Sequence, residues 1–341
     1  MASKKELLAC GWSGSGLARA FLSFGPASRS SLTLLAYHRV VDIGDEDEFA
    51  GDPELVSASI AEFEWQMRWV AKYFQPTSFR RVLDLTAAGM PLPPRSLVVT
   101  FDDGHSDNFV SAFPILRATG VPATIFLSTD YIGSRAPYWF DLVARRFHCA
   151  PAGGIELSSV PFTASLVDVR SRRDATGRLL SQLKRVPNAV RLACLAELEA
   201  RLPIARLGFG HDEPHSLTWD QVREMSAAGI EFGSHTLSHP ILTQLEDAEL
   251  RRELYESREI IRRETGQSVD VIAYPIGKKF AFDERVIRIS RECGYQLGVS
   301  YETGVDAWPC ATPYALRRLA VERYTSRTMF ESMMSLPGVF A

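Results

Sequence analysis

The chain has 341 residues, 46% of them hydrophobic and 23% charged, which is enough for a sizeable core and ordinary for a globular protein in water. Its 38 basic and 41 acidic residues leave a net charge of −3, and no basic run forms a nucleic-acid footprint, so nucleic acid is not an expected partner. Five scattered cysteines without a C-x-x-C pair argue against a disulfide framework or a cysteine zinc site, and no apolar run reaches the roughly 18 residues of a membrane span.

Residues 1–30 begin with Lys4 and Lys5, and the spacing of Leu7, Leu8, Leu17, Phe21 and Leu22 predicts a short amphipathic helix. Such a helix would lie on the protein or on a membrane surface. Glu6 and Arg19 interrupt any clean apolar core of a secretion signal, so the expected location is cytoplasmic, with peripheral membrane contact through this segment. A strand-like run SLTLLAY (31–37) follows, then a helical stripe of Ile60, Phe63, Met67, Val70 and Phe74. Strand-like runs recur at SLVVTF (96–101) and PATIFLS (122–128). The alternation then breaks over about 134–217, where YWFDLVARRF, a Gly-Ser-rich piece and LLSQLKRVPNAVRLACLAELEARL predict a mostly helical insertion. It resumes with GIEFGS (229–234), a helix over about 246–265 stopped by Gly266, and VIAY (271–274). Next come a helix from an Asp283 N-cap to Gly294, then QLGVS (296–300) and YALRRLAV (314–321). Alternating strands and helices predict a parallel sheet, as a barrel or doubly wound, over 31–330, with 331–341 as a tail.

Chemistry concentrates at strand ends. LVVTFDDGHSDN (97–108) brings Asp102 and Asp103 together at the end of a strand, a like-charge conflict unless something positive sits there. The bland reading has Asp107 capping a helix from Asn108, which leaves the two upstream acids unexplained. The spacing is not that of an EF-hand loop. EFGSHTLSHP (231–240) ends a second strand-like run and carries His235 and His239, four residues apart, so both imidazoles can be aimed at one point. Two histidines and one carboxylate make a three-ligand metal site with a position left for water. Thr236 stands where the metalloprotease H-E-x-x-H pattern has its glutamate.

TFDDG followed by SHTLSHP resembles the first two motifs of the polysaccharide deacetylase, or NodB-homology, family. The resemblance covers roughly 31–330 without the insertion. It implies an α/β fold, a distorted (β/α)7 barrel of seven rather than eight strands. It also implies Asp102 as general base, and Asp103, His235 and His239 as ligands of one divalent ion, zinc first, with cobalt, nickel or manganese compatible. AYPIGKKFAFD (273–283) resembles the third motif, with Ala273 in place of the usual arginine. The main-chain N–H of Ile276 falls where the family has an oxyanion donor; Pro275 and Gly277 also suit a plain turn. YALRRLAV resembles a late arginine-bearing strand of exopolysaccharide-type members, which makes Arg318 the partner of Asp102 and sends Arg317 to the opposite face. No histidine follows His239. LLAYHRV (34–40) resembles the Tyr-His pair of biofilm-polysaccharide deacetylases, which implies His38 as the acid. His105, His148, His211 and His215 receive no role, although His105 adjoins the cleft.

The implied activity is metal-dependent removal of N-acetyl groups from an amino-sugar polysaccharide or glycolipid intermediate, as in exopolysaccharide biosynthesis. Rival hydrolases of the same fold are a sugar deformylase, an allantoinase-like ring opener and an O-deacetylase. The non-enzyme rival is an inactive carbohydrate-binding relative, against which the intact acid pair and H-x-x-x-H argue. The insertion is expected beside the cleft, with Tyr138, Trp139 and Phe140 either stacking on sugar or packing a helix.

Overall fold

The computed structural model describes residues 4–24, 31–44, 49, 52–203 and 215–341; His211 lies outside them. Seven strands form the core: β1 (Ser31–Tyr37), β2 (Ser96–Phe101), β3 (Ala123–Leu127), β4 (Glu231–Ser234), β5 (Val271–Ala273), β6 (Leu297–Thr303) and β7 (Leu316–Ala320). Each pairs in parallel with the next, and β7 pairs back to β1, so the sheet closes into the expected seven-stranded barrel. Helices cover the outside while side chains fill the inside, which is why all six residues of β2 are buried. A short strand, Asp306–Ala307, replaces a helix between β6 and β7 and pairs antiparallel with β1.

At the N-terminus the expected single helix is two, α1 (Lys4–Gly14) and α2 (Leu17–Phe24), broken where Gly16 takes a φ of 78°. Between β1 and β2 come α3 (Ile60–Tyr73) and α4 (Phe79–Ala87). The Ser59 hydroxyl caps α3 by accepting the Glu62 N–H. Phe63, Met67 and Val70 are fully buried, but Ile60 is 38% exposed, because the first turn overhangs the packed surface. After β2 the chain enters a π-type turn over Asn108–Ala112 and then α5 (Phe113–Thr119). Asp107 does not cap that turn with its side chain. Its carboxylate instead accepts Arg39 Nε at 2.8 Å and the Val40 N–H at 2.9 Å, tying the end of β1 to the segment after β2.

Between β3 and β4 lie α6 (Trp139–His148), α7 (Val169–Leu183), α8 (Asn188–Arg201) and α9 (Trp219–Ala227). An antiparallel hairpin, Gly154–Leu157 with Phe162–Ser165, stands where only a Gly-Ser-rich link was expected. Ile155 and Leu157 alternate inward with exposed neighbours, the period-two pattern of a half-buried strand. Phe147, Phe162, Leu179 and Leu198 build a second apolar cluster that continues onto Ile241 and Ala281 of the barrel loops. The rest follows the alternation: α10 (Asp247–Thr265) stops at Gly266 with φ 69°, and α11 (Glu284–Glu292) is capped by Asp283 accepting the Val286 N–H at 2.9 Å. Finally α12 (Arg327–Ser335) packs on α1, where Trp12 Nε1 donates to Ser335 Oγ at 2.9 Å.

Candidate active site

The C-terminal ends of the barrel strands gather the chemistry. β2 runs straight into Asp102, whose N–H donates to the Tyr37 carbonyl at 3.0 Å. The chain then turns through Asp103 at φ 74° and Gly104 at φ 86°. A Cβ on Gly104 would lie 2.7 Å from Leu127 Cδ2 and 3.1 Å from Ile132 Cδ1, so the positive φ and the crowding together favour glycine at this corner. The turn separates the two carboxylates.

Asp102 faces β7. Arg318 holds it in a fork, Nη1 on Oδ1 and Nη2 on Oδ2, both at 2.7 Å, with both residues 2% exposed. Arg318 also donates Nε to the Ser300 carbonyl at 2.8 Å and Nη1 to Thr100 Oγ1 at 3.2 Å. Burial raises the carboxyl pKa of Asp102, but the Arg318 charge, with help from His235 and His38, outweighs it and holds the group below the ordinary range. Arg317 points away and pairs with Asp306 at 2.9 Å.

Asp103 faces β4. Its Oδ1 lies 3.6 Å from His235 Nε2 and 3.4 Å from His239 Nε2, and all three residues are buried. That Oδ1 accepts no hydrogen bond from any of the described residues although it is out of solvent. Two donor atoms held tetrahedrally at about 2.0–2.1 Å from one ion lie about 3.3 Å apart, so an orphaned carboxylate oxygen and two imidazole nitrogens at these distances fit a divalent ion. His235 Nδ1 meets the Ala273 carbonyl at 2.7 Å, which leaves Nε2 as the free lone pair. Burial pulls the His239 pKa down to about 3, so the ring is neutral and able to ligate. The loop that carries His239 is clamped by Glu253, whose carboxylate accepts the Leu237 and Ser238 N–H groups and the Ser238 hydroxyl at 2.6–3.0 Å.

His105 was assigned no role from sequence. Its buried Nε2 stands 3.3 Å from Asp103 Oδ2, on the side away from the two histidines. Tyr138 Oη donates to the Asp103 carbonyl at 2.7 Å, and Trp139 Nε1 to the His239 carbonyl at 3.1 Å. The aromatic run of α6 is therefore buried bracing rather than open stacking surface, although Phe140 reaches the cavity and meets the His239 ring edge-on at 5.2 Å.

The backbone is unusual here. Among the described residues five non-glycines have positive φ, and four of them, Asp103, Thr236, His239 and Ile276, belong to these turns. For a β-branched residue such as Ile276, at φ 64°, that is a rare conformation. It presents an N–H that finds no acceptor among the described residues. His38, just beyond β1, places Nε2 3.9 Å from Asp102 Oδ2 and its ring 5.5 Å from that of Tyr301. Burial lowers the His38 pKa despite the two aspartates nearby. A cavity of about 530 Å³ joins His38, Asp102, Asp103, His235, His239 and Ile276 on one wall system.

The profile of the polysaccharide deacetylase family matches residues 89–298. The chain belongs to that family. A polysaccharide deacetylase, it is 24% identical over 271 residues to YxkH of Bacillus subtilis (strain 168), covering 79% of this chain and 67% of that one. It is 30% identical over 106 residues to a poly-beta-1,6-N-acetyl-D-glucosamine N-deacetylase of Escherichia coli O157:H7, a match covering 31% of this chain and 15% of that relative. The deacetylase PplD of Streptococcus pyogenes shares the fold, with a TM-score of 0.58 at 17% identity over 92% of this chain and 99% of the other.

Proposed function

We propose that this deacetylase removes N-acetyl groups from an amino-sugar polysaccharide or a glycolipid intermediate, with poly-β-1,6-linked N-acetylglucosamine as the first substrate to test. The observation that carries the reading is the division of the two adjacent aspartates: one clasped by an arginine, the next offering an unpartnered oxygen to two histidines. Two carboxylates in different environments suit different tasks. Asp103, His235 and His239 would hold a divalent ion, proposed as zinc on the strength of its two imidazoles and one carboxylate. When bound, such an ion supplies Lewis acidity to an acetyl carbonyl and to a water.

Asp102 stays ionised beside Arg318 and accepts the proton of the attacking water at a carboxylate oxygen. Arg318 fixes the direction of that oxygen. The Ile276 N–H, which has no acceptor among the described residues, supports the developing oxyanion. An amide nitrogen leaves only with a proton, and His38 Nε2 is the group placed to deliver it. Because His38 stands 3.9 Å from Asp102 Oδ2, the proton taken from water has a short route to the imidazole and on to the amine. That route offsets the lowered pKa of His38, which leaves the resting ring neutral.

Asp102→Asn should keep the ion and lose about 10²–10⁴-fold in turnover, while Asp103→Asn should lose ion and turnover together. Acetate release from acetylated glucosamine oligomers, with metal content measured in parallel, decides. Full turnover by Asp102→Asn, or no acetate from any acetylated amino sugar, overturns the reading.

The N-terminal helices support a second, separate proposal, contact with an anionic membrane surface on its cytoplasmic side. Leu7 and Leu8 are 64% and 63% exposed on α1, next to exposed Lys4 and Lys5. Leu7→Glu with Leu8→Glu should abolish sedimentation with anionic vesicles; unchanged sedimentation removes the proposal.

A further inference from the structure

The cavity over the two aspartates does not end at the barrel mouth. A second cavity, of about 320 Å³, adjoins it under the insertion, and both are lined by Asp52, Glu54, Gly177 and Leu180. One helix runs along the pair. On α7, Arg172 and Thr176 line the second cavity, Ser181 lines the first, and Gly177 and Leu180 line both. Steps of three and four put these residues on one face. From Arg172 to Ser181 that face runs roughly 14 Å at 1.5 Å per residue, longer than one sugar ring.

Gly177 is the anomaly on that face. It sits in the interior of a 15-residue helix, where glycine is unfavourable relative to alanine. Its φ is not positive, so the backbone does not require it. A Cβ built there meets nothing among the described residues within 4 Å, so their packing does not require it either, in contrast to Gly104. What a missing side chain provides at this position is open space where the two cavities meet. The far cavity also carries unspent polarity: Arg172 has a buried Nε–H with no acceptor among the described residues.

We propose that the two cavities form one groove for an amino-sugar chain, and that Gly177 keeps the passage between them open. The residue losing its acetyl group occupies the cavity over Asp102 and Asp103. The chain continues past Asp52, Glu54 and Gly177, and its hydroxyl groups accept from Arg172 and donate to the two carboxylates. Gly177 is thereby a determinant of preference for long over short substrates. This rests on the deacetylase reading above, and deepens it.

The test compares Gly177→Leu with the unaltered enzyme on a β-1,6-linked N-acetylglucosamine hexamer and dimer, with unfolding followed in parallel. Leucine is a better helix former, so the unfolding midpoint should hold or rise. The ratio of kcat/KM on hexamer to that on dimer should fall by about tenfold or more. Arg172→Met should lower the same ratio, as a second variant outside the passage. An unchanged ratio in folded Gly177→Leu overturns the proposal. Failure of the deacetylase reading looks different: the unaltered protein then releases acetate from neither substrate. In that event calorimetry on the hexamer still decides about the groove, since binding lost in Gly177→Leu upholds it and equal binding removes it.

Discussion

Arg318 offers the sharpest test of how the site is held together. Arg318 and Asp102 are each 2% exposed and joined by two hydrogen bonds at 2.7 Å, so neither charge has water to fall back on. Arg318→Met removes the cation and its bonds to Ser300 and Thr100, and strands a buried carboxylate. Breaking one side of a buried pair costs about 3–5 kcal/mol. Against a total stability of about 5–15 kcal/mol, that is a large fraction. Replacing both partners should behave differently. Arg318→Met with Asp102→Leu leaves no charge behind, and buried pairs exchanged for apolar residues are often neutral. The double variant should therefore recover at least about 2 kcal/mol relative to Arg318→Met alone. Guanidinium unfolding of the wild type, both single variants and the double variant gives the coupling, and the series should be run with metal and with chelator to separate the ion's field. Arg318→Lys should fall between, since an ammonium cannot fill the fork. A cost below about 1 kcal/mol for Arg318→Met, or a double variant no better than that single one, would refute the reasoning.

Three further outcomes are expected. His38→Ala should keep the ion and the fold and lose turnover on an amide far more than on an activated ester, whose leaving group needs no proton; equal losses in kcat/KM would make His38 structural. Glu253→Gln can no longer accept all three hydrogen bonds from Leu237 and Ser238, and should weaken metal binding by about 10–100-fold in a competitive chelator titration. His215 is held down to about 4, by burial first and then by the Arg145 charge, so its unfolded form takes up a proton near pH 6.5 before the folded form does. Its contribution to stability is complete above about pH 6.5 and lost as pH falls towards 4, and His215→Gln should flatten unfolding free energy against pH across that window.

What could be read from sequence follows how local each feature is. Asp102, Asp103 and His235 directly follow short apolar strands, with His239 four residues further along the same loop, and strand ends on one side of a parallel barrel converge whatever the spacing between them. Arg318 and Arg317 separate by strand alternation alone. His105 was out of reach, because its ring direction depends on the positive φ of Gly104 and on the turn that follows. Asp107 looked like a cap and serves as an acceptor for Arg39, a partner 68 residues away that no local rule supplies. The hairpin at Gly154–Leu157 was hidden by short strands within Gly- and Ser-rich sequence. The face of α7 escaped notice because its informative member is a glycine with no side chain to count.

Topology makes the insertion look like a cassette that could be cut from one barrel and grafted onto another. Its hydrogen bonds say otherwise. Tyr138 and Trp139, at the entrance to α6, grip the main chain at Asp103 and His239, on opposite sides of the ligand set. A transplant that cut before Tyr138 would carry off two struts of the recipient's centre, and one that cut after Phe140 would leave them in place. Exchanging substrate walls within this fold should therefore be done with scissors set downstream of the aromatic run, so that what moves is the groove and what stays is the anchorage of the ligands.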